Sequence, residues 1–450
     1  MSAPIRRPNV VVFFTDQQRW DTIGLNGNPL DLTPNLDRMG MEGTFVPHAF
    51  TCQPVCGPAR ACLQTGKYAT TVGCHVNGIP LPENETTLAH HFKNAGYHTG
   101  YIGKWHLHKG EPVPEGKRGG YEYWLAANIL EFTSDAYHTV LYDNDDNPVT
   151  LPGYRVDALT DAAIRYIDNH KEHPFFLFLS FIEPHFQNHR DDYPAPYGYA
   201  ERYVSRWIPP DLAALGGNSH QHLGGYCGMI KRLDEALGRL LDALRSLQLL
   251  EDTIVIFTSD HGNHFRTRNS EYKRSPHDSS IRIPMAMHGG PFSGGGRVRE
   301  LVSLVDIPPT LLDAAGIPVP PEMQGRSMLP LLRGEREDWP GEVFVQISES
   351  QIGRAIRTHR WKYAVQAPKG ISLRNPSSDT YEEACLYDLQ ADPYELTNLI
   401  GFASHKELAK ALRERLIKRM AEAGEAIPEI IAAPELPAKQ RKVYDFEINL

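Results

Sequence analysis

The sequence predicts an α/β fold: a large mixed, mostly parallel sheet sandwiched by helices, plus a smaller C-terminal α+β subdomain with an antiparallel sheet. Three observations carry this expectation. Short apolar runs bounded by turn signals recur between residues 10 and 257, as suits strands buried on both faces of a sheet. Helical stretches fall between those runs, and that alternation implies a doubly wound core. Beyond residue 335 the pattern changes to shorter alternating strands of antiparallel type.

Taken in order, residues 10–14 form the first strand, which stops at Asp16-Gln17. Residues 97–102 lead into Gly103-Lys104-Trp105-His106, and residues 175–179 lead through Ser180 to Pro184-His185. Residues 254–257 stop at Asp260-His261-Gly262. Helices are expected at 86–94, 157–169 and 228–246. One buried strand ending in Asp is ordinarily just a cap or a turn. Four strands ending in Asp, Lys/His, His and Asp-His predict one shared site, because ligands of such sheets bind at the carboxyl ends of the strands. The charged, turn-rich stretch 333–340 divides the chain into a catalytic domain, 1–335, and a second domain, 336–450. Strands are expected there at 342–347, 354–358, 361–365 and 386–389. An amphipathic helix follows at 404–423, with Leu408, Ala411, Leu412, Leu416, Ile417 and Met420 on its apolar side. The tail, 427–450, ends in aromatic and aliphatic residues that suit docking, with a neighbouring subunit of a homo-oligomer as one expected partner.

A net charge of −9 argues against nucleic acid and anionic membranes as partners. An anionic substrate must therefore be drawn by a local positive pocket. No apolar run is long enough to span a bilayer. The first eight residues are short and basic, and the apolar run behind them is too brief for a signal peptide, so a cytoplasmic location is expected, or a periplasmic one if a leader has been removed. The six cysteines show no pairing framework and read as reduced. Cys52 and Cys56 have no second pair that would complete a zinc site.

The densest signal is Cys56-Gly57-Pro58-Ala59-Arg60 followed by Thr65-Gly66. A lone buried cysteine is ordinarily structural. This stretch, however, resembles the signature of the type I, formylglycine-dependent sulfatases of the alkaline-phosphatase-like superfamily. Asp16-Gln17, Gly103-Lys104-Trp105-His106, Pro184-His185, Asp260-His261-Gly262, Glu271-Tyr272-Lys273 with Arg282-Ile283-Pro284, and Leu386-Tyr387-Asp388 match that family's segments in chain order. The resemblance runs over residues 7–400. The chain departs from many arylsulfatases in having Asp16-Gln17 and Asp260-His261, a set similar to choline sulfatases, phosphonate monoester hydrolases and some carbohydrate sulfatases.

The resemblance implies the chemistry. Cys56 is oxidised by a formylglycine-generating enzyme to an aldehyde that hydrates; one hydroxyl attacks sulfur and the other later expels sulfate, a step that a thiolate cannot perform. Asp16, Gln17, Asp260 and His261 hold a divalent metal. The hard oxygen donors favour Ca²⁺, and His261 makes Mn²⁺ the second choice. Asp260 also serves as base. Arg60, one turn into the helix that Pro58 begins, holds the diol and sulfate. Lys104 and His106 handle the second hydroxyl, and His185 and Lys273 clamp sulfate and protonate the leaving alkoxide. His277 is a substrate contact or second proton donor. By position alone, on a polar loop with His185, His189 and Arg190 are expected to recognise sugar hydroxyls or a second charge. His108 and His264 read equally as solvated loop histidines and are left out of the site, His220 and His222 read as surface with metal binding as the alternative, and Trp105 reads as packing. The expected substrate is a small sulfate monoester, on a mono- or oligosaccharide. The alternatives are a phosphonate monoester or phosphodiester hydrolase, and an anion-binding pseudoenzyme that keeps the thiol.

Overall fold

The computed structural model describes residues 7–187, 189–436 and 443–448. Among them a ten-stranded sheet has at its centre five parallel strands: β1 (Asn9–Thr15), β2 (His98–Lys104), β3 (Tyr123–Ala127), β4 (Phe175–Ser180) and β5 (Thr253–Ser259), in the order β5-β1-β4-β2-β3. An antiparallel strand, β6 (Met285–His288), borders β5. Successive side chains of a strand point to opposite faces, and β1 shows it: Val10, Val12 and Phe14 join one apolar cluster, Val11 and Phe13 another. Helices α1 (Cys56–Thr65) and α2 (Leu88–Asn94) cover the first face through Ala59, Leu63, Leu88 and Phe92. Helices α3 (Arg155–His170) and α4 (Ser219–Ser246) cover the second through Leu159, Ala163, Leu237 and Leu240. Burial of each large apolar side chain contributes roughly 1.5–3 kcal/mol, so the strands that end at the candidate site lie in the most heavily stabilised part of the molecule.

Helix α4 begins well before the expected residue 228. Gly225 and Gly228, near its start, serve close approach. A Cβ at Gly225 would lie 2.3 Å from the Tyr193 carbonyl oxygen, and one at Gly228 2.8 Å from Ala195 Cβ.

The second sheet is formed by β7 (Glu342–Ile347), β8 (Gly353–Thr358), β9 (Trp361–Gln366), β10 (Thr380–Asp388) and β11 (Glu429–Ile431), antiparallel except for the last pair. Strand β10 starts earlier than expected because Glu383 is paired, taking the Tyr363 hydroxyl (3.0 Å) and Arg413 (2.6 Å). Helix α5 (Lys406–Glu422) lays Leu408, Leu412, Leu416 and Met420 into the same apolar cluster that fills the first face of the large sheet. The tail segment 443–448 docks on its own chain: Trp361 Nε1 donates to the Glu447 carbonyl at 2.9 Å. Residues 437–442 and 449–450 of that tail lie outside the described residues.

Candidate active site

The carboxyl ends of β1 and β5 meet first. Thr15 lies opposite Ser259, so Asp16 and Gln17 emerge beside Asp260 and His261. Gln17 is held at φ +64°, a region that non-glycine residues seldom adopt. Its backbone N–H donates to Asp260 Oδ1 (3.0 Å) and its Nε2 to the Tyr193 hydroxyl (3.3 Å), while Oε1 is buried with no hydrogen-bond partner. His261 Nδ1 donates to the Gly262 carbonyl (2.9 Å). That bond turns the Nε2 lone pair toward Asp260 (3.5 Å), Asp16 (3.7 Å) and Cys56 Sγ (3.2 Å).

Strand β2 delivers the next groups. Gly103 sits at φ +106°, and a Cβ there would lie 1.9 Å from the Ser180 carbonyl oxygen; only glycine lets β2 pass β4 this closely. Lys104 is fully buried, with Nζ 2.9 Å from Asp16 and 2.9 Å from Glu131. His106, at φ +60°, lines the cavity and has a buried Nδ1 without a partner. Past β4, His185 donates Nδ1–H to the Phe186 carbonyl (2.7 Å), which leaves Nε2 as acceptor for Lys273 Nζ (3.2 Å).

Helix α1 opens at Cys56; the Gly57 N–H is taken by Asn77 Oδ1 (3.0 Å) and Pro58 has none to offer, so the positive end of the helix reaches the site through position 56 alone. Arg60 follows one turn on. Its Nη1 donates to the Lys104 carbonyl (2.9 Å) and Ser180 Oγ (2.7 Å), and its Nη2 lies 3.0 Å from Asp16 and 3.4 Å from Asp260. The terminal nitrogens of this fork thus lie against the two carboxylates and neutralise them. Lys273 Nζ lies 2.6 Å from Cys56 Sγ. Its carbonyl accepts from His264 Nε2 (3.0 Å) and Asn269 Nδ2 (3.0 Å). His264, read as solvated, is buried behind the lysine.

Cys56, His106, His185 and Lys273 line a cavity of about 250 Å³ with Glu131, Asn77 and Arg274, and the exposed ring of Phe132 stands at its edge. Cavities of about 310 Å³ beside Tyr68 and 280 Å³ beside α5 lie away from the strand ends. The other expected substrate residues are placed differently. His277 bonds Ser275 Oγ and the Tyr387 hydroxyl, both at 3.2 Å, and is outside the cavity lining. His189 and Arg190 are half exposed and both pair with Asp135, at 3.3 and 3.1 Å. His220 is exposed on the first turn of α4. Glu131 was not singled out by the sequence; only its contact with Lys104 reveals it.

The electrostatics are those of an anion site. Burial pushes the Cys56 thiol up, but Lys273, Lys104 and His261 outweigh it and hold the sulfur well below the ordinary thiol value. Burial and the Cys56 sulfur oppose ionisation of Asp16; Lys104, His185 and Arg60 prevail and hold its carboxyl below the usual range. Burial and Asp16 push Asp260 upward. Burial opposes the charge on Lys104, yet Asp16 and Glu131 raise its pKa. Burial, Arg268 and Lys362 hold His277 well below the ordinary histidine value.

A divalent cation fits these residues. Ligand atoms of Asp16, Cys56, Asp260 and His261 all lie within 4.8 Å of one another. Gln17, next to Asp16 in the chain, keeps a buried Oε1 without a hydrogen-bond partner, an oxygen donor of the kind such a cation takes.

This arrangement, a doubly wound sheet with acids, lysines and histidines gathered at one set of strand ends, defines a hydrolase of the alkaline-phosphatase-like fold. The sulfatase family model matches residues 8–317, and the model of the N-sulphoglucosamine sulphohydrolase C-terminal region matches residues 271–422. The chain belongs to the sulfatase family, and its reaction is hydrolysis of a sulfate ester. An ulvan-active sulfatase from Formosa agariphila is 32% identical, over 93% of this chain and 82% of that protein. An N-acetylglucosamine-6-O-sulfatase from Bacteroides thetaiotaomicron is 26% identical, over 91% and 86%. In fold, the chain superimposes with a TM-score of 0.77 on a protein solved with its substrate D-glucosamine-2-N,6-O-disulfate, at 24% identity over 93% of this chain and 98% of that one. The sulfatase relatives do not favour the phosphonate hydrolase alternative.

Proposed function

We propose that the chain removes sulfate from a mono- or short oligosaccharide, using formylglycine made from Cys56 by a generating enzyme, and a cation held by Asp16, Gln17, Asp260 and His261. The observation that carries this reading is the convergence on one sulfur, Cys56 Sγ, of Lys273 (2.6 Å), His261 (3.2 Å) and Asp16 (3.7 Å). Calcium is the first choice for a site richer in oxygen than nitrogen, with manganese second. The cation, when bound, would act as Lewis acid toward the nucleophile and sulfate. The hydrated aldehyde would supply a nucleophilic oxygen and a second hydroxyl for sulfate release.

The chain's own groups then have definite work. Lys273, between position 56 and His185 Nε2, neutralises sulfate, and the Lys273–His185 pair passes a proton to the leaving alkoxide. Asp260 takes the proton of the attacking hydroxyl. Lys104, pinned by Asp16 and Glu131, keeps a fixed positive charge under the site, and His106 handles the proton of the second hydroxyl. Arg60 offsets the charge of the acidic pair. A cavity of about 250 Å³ is below the range of about 300–1,000 Å³ for drug-sized ligands, which suits one sulfated sugar ring. His189 and Arg190, paired with Asp135 outside the cavity lining, are assigned no role in this reading, and His277 steadies the loop behind Lys273.

The test is sulfate release from a panel of sulfated mono- and disaccharides, 4-nitrophenyl sulfate and choline sulfate, after co-expression with a formylglycine-generating enzyme. Release from a sugar, lost in Cys56→Ala, is expected. Absence of the aldehyde in the mass of the peptide carrying position 56, with sulfate still released, would sink the formylglycine reading.

A further inference from the structure

We propose that Arg274, held in place by Glu349 of the C-terminal subdomain, is a specificity-determining residue that reads the hydroxyl groups flanking the sulfated position of the sugar. This rests on the carbohydrate reading above. Arg274 lines the Cys56 cavity immediately after Lys273. Its φ is +68°, and so is that of Glu349. Two non-glycine residues in this region cost roughly 1–3 kcal/mol each and persist only where the surroundings dictate them. The surroundings here do. Arg274 Nη2 pairs with Glu349 at 2.5 Å and Nη1 with Glu271 at 3.0 Å. Ser350 Oγ donates to the Arg274 carbonyl at 2.5 Å, and Glu349 accepts the Asn77 backbone N–H at 2.5 Å.

Asn77 in turn accepts the N–H of Gly57 at 3.0 Å, so this network ends next to Cys56. The turn between β7 and β8 thus reaches across from the second sheet to fix both a cavity wall and the first turn of α1.

The chemistry of that wall suits sugar hydroxyls. Glu271 and Arg274 line the cavity as acceptor and donor, and Glu349 closes the row behind Arg274. A vicinal diol both donates and accepts, and can satisfy such a row on either side. The row also carries one more negative than positive charge, which disfavours a second sulfate on the adjacent carbon. Lys273 and His185 bind the sulfate, whereas Arg274 meets the part of the substrate that leaves with the alkoxide.

The experiment compares two substrates: the sugar sulfate that the wild-type enzyme cleaves best, and 4-nitrophenyl sulfate, whose leaving group carries no hydroxyl. Arg274→Lys and Glu349→Gln should raise KM for the sugar sulfate at least about tenfold, as expected when a hydroxyl-reading contact is lost. On the aryl sulfate, kcat/KM of Arg274→Lys should stay within about twofold, whereas Glu349→Gln, which also frees Asn77 beside Cys56, is read only through KM for the sugar. Glu271→Gln, at the exposed end of the row, provides the same comparison if a deeper variant fails to fold. Equal losses on both substrates would overturn the proposal in favour of a merely structural network, and so would an unchanged KM on the sugar. Wild-type turnover of the aryl sulfate alone would instead overturn the carbohydrate reading, and this inference with it.

Discussion

At residue 273 one ammonium group lies 2.6 Å from Cys56 Sγ and 3.2 Å from His185 Nε2, while its carbonyl is tied down by His264. Lys273→Ala should therefore lower kcat by about 10²–10⁴, the range for a lost proton donor or charge clamp, with folding retained; steady-state kinetics on a sugar sulfate checks it. His264 makes a second prediction. Burial, the largest effect, lowers its pKa to about 4. The unfolded chain takes up that proton near pH 6.5 and the folded one only near 4. The stability associated with neutral His264 is thus complete above pH 6.5 and is lost as pH falls from 6.5 to 4, at about 1.4 kcal/mol per pH unit. Urea titrations from pH 7 to 4.5 should show a shallower decline for His264→Gln; parallel declines would show that the histidine does not titrate this way. Cys56, Asp16, Asp260 and Lys273 were legible because their residue types and spacing form motifs. His264 and Glu131 were not, because their importance lies in what they touch: Lys273 O for one and Lys104 Nζ for the other. Arg60 was legible as a site residue but not in its orientation, which Ser180 and the carboxylates of Asp16 and Asp260 decide.

At the level of elements, β1, β2, β4 and β5 could be read from their apolar runs because both faces of each are buried, and no solvent face interrupts the pattern. The start of α4 could not, since what its early glycines do, letting the chain at 193–200 pack closely against the helix, is visible only in the fold. Nor could the length of β10, where polar residues satisfy each other across strands. Gly103 is the element-level position with the sharpest consequence. At φ +106°, with a Cβ only 1.9 Å from the Ser180 carbonyl, Gly103→Ala must push β2 away from β4 or break their register. Substitutions with that kind of backbone conflict destabilise by about 1–3 kcal/mol or more. Lys104, next in the chain, would move with the strand and loosen its hold on Asp16. The expected result is a lower urea midpoint together with reduced kcat. A variant of wild-type stability and activity would show that the strands can separate without cost.

Across the whole molecule, a chain of net charge −9 gathers lysines and Arg60 around its acidic pair, so the anion site is a local creation of burial. The second sheet is joined to this site by charge as well as by apolar packing. Lys362 Nζ lies 2.5 Å from Asp278 and 2.5 Å from Glu395, and Arg357 lies 3.2 Å from Asp278, with every one of these side chains at most 5% exposed. Asp278 begins the short helix just after His277, so the network fixes the end of the segment that carries Lys273. Burial opposes ionisation of Asp278, and Lys362 and Arg357 overcome it, holding the carboxyl below its usual range. Removing one partner of such a buried set leaves a charge without compensation and costs about 3–5 kcal/mol, whereas removing charge from both sides costs less. Lys362→Met should accordingly lose about that much in urea unfolding, and activity should fall because the Lys273 segment loses its anchor. Adding Glu395→Gln should recover part of the stability, since the glutamate is then no longer a buried charge facing methionine. If the double variant is no more stable than Lys362→Met alone, the cost lies in lost packing and not in the stranded carboxylate. If the single variant unfolds in two separate transitions, the two sheets are independent units, despite the apolar cluster that runs through both.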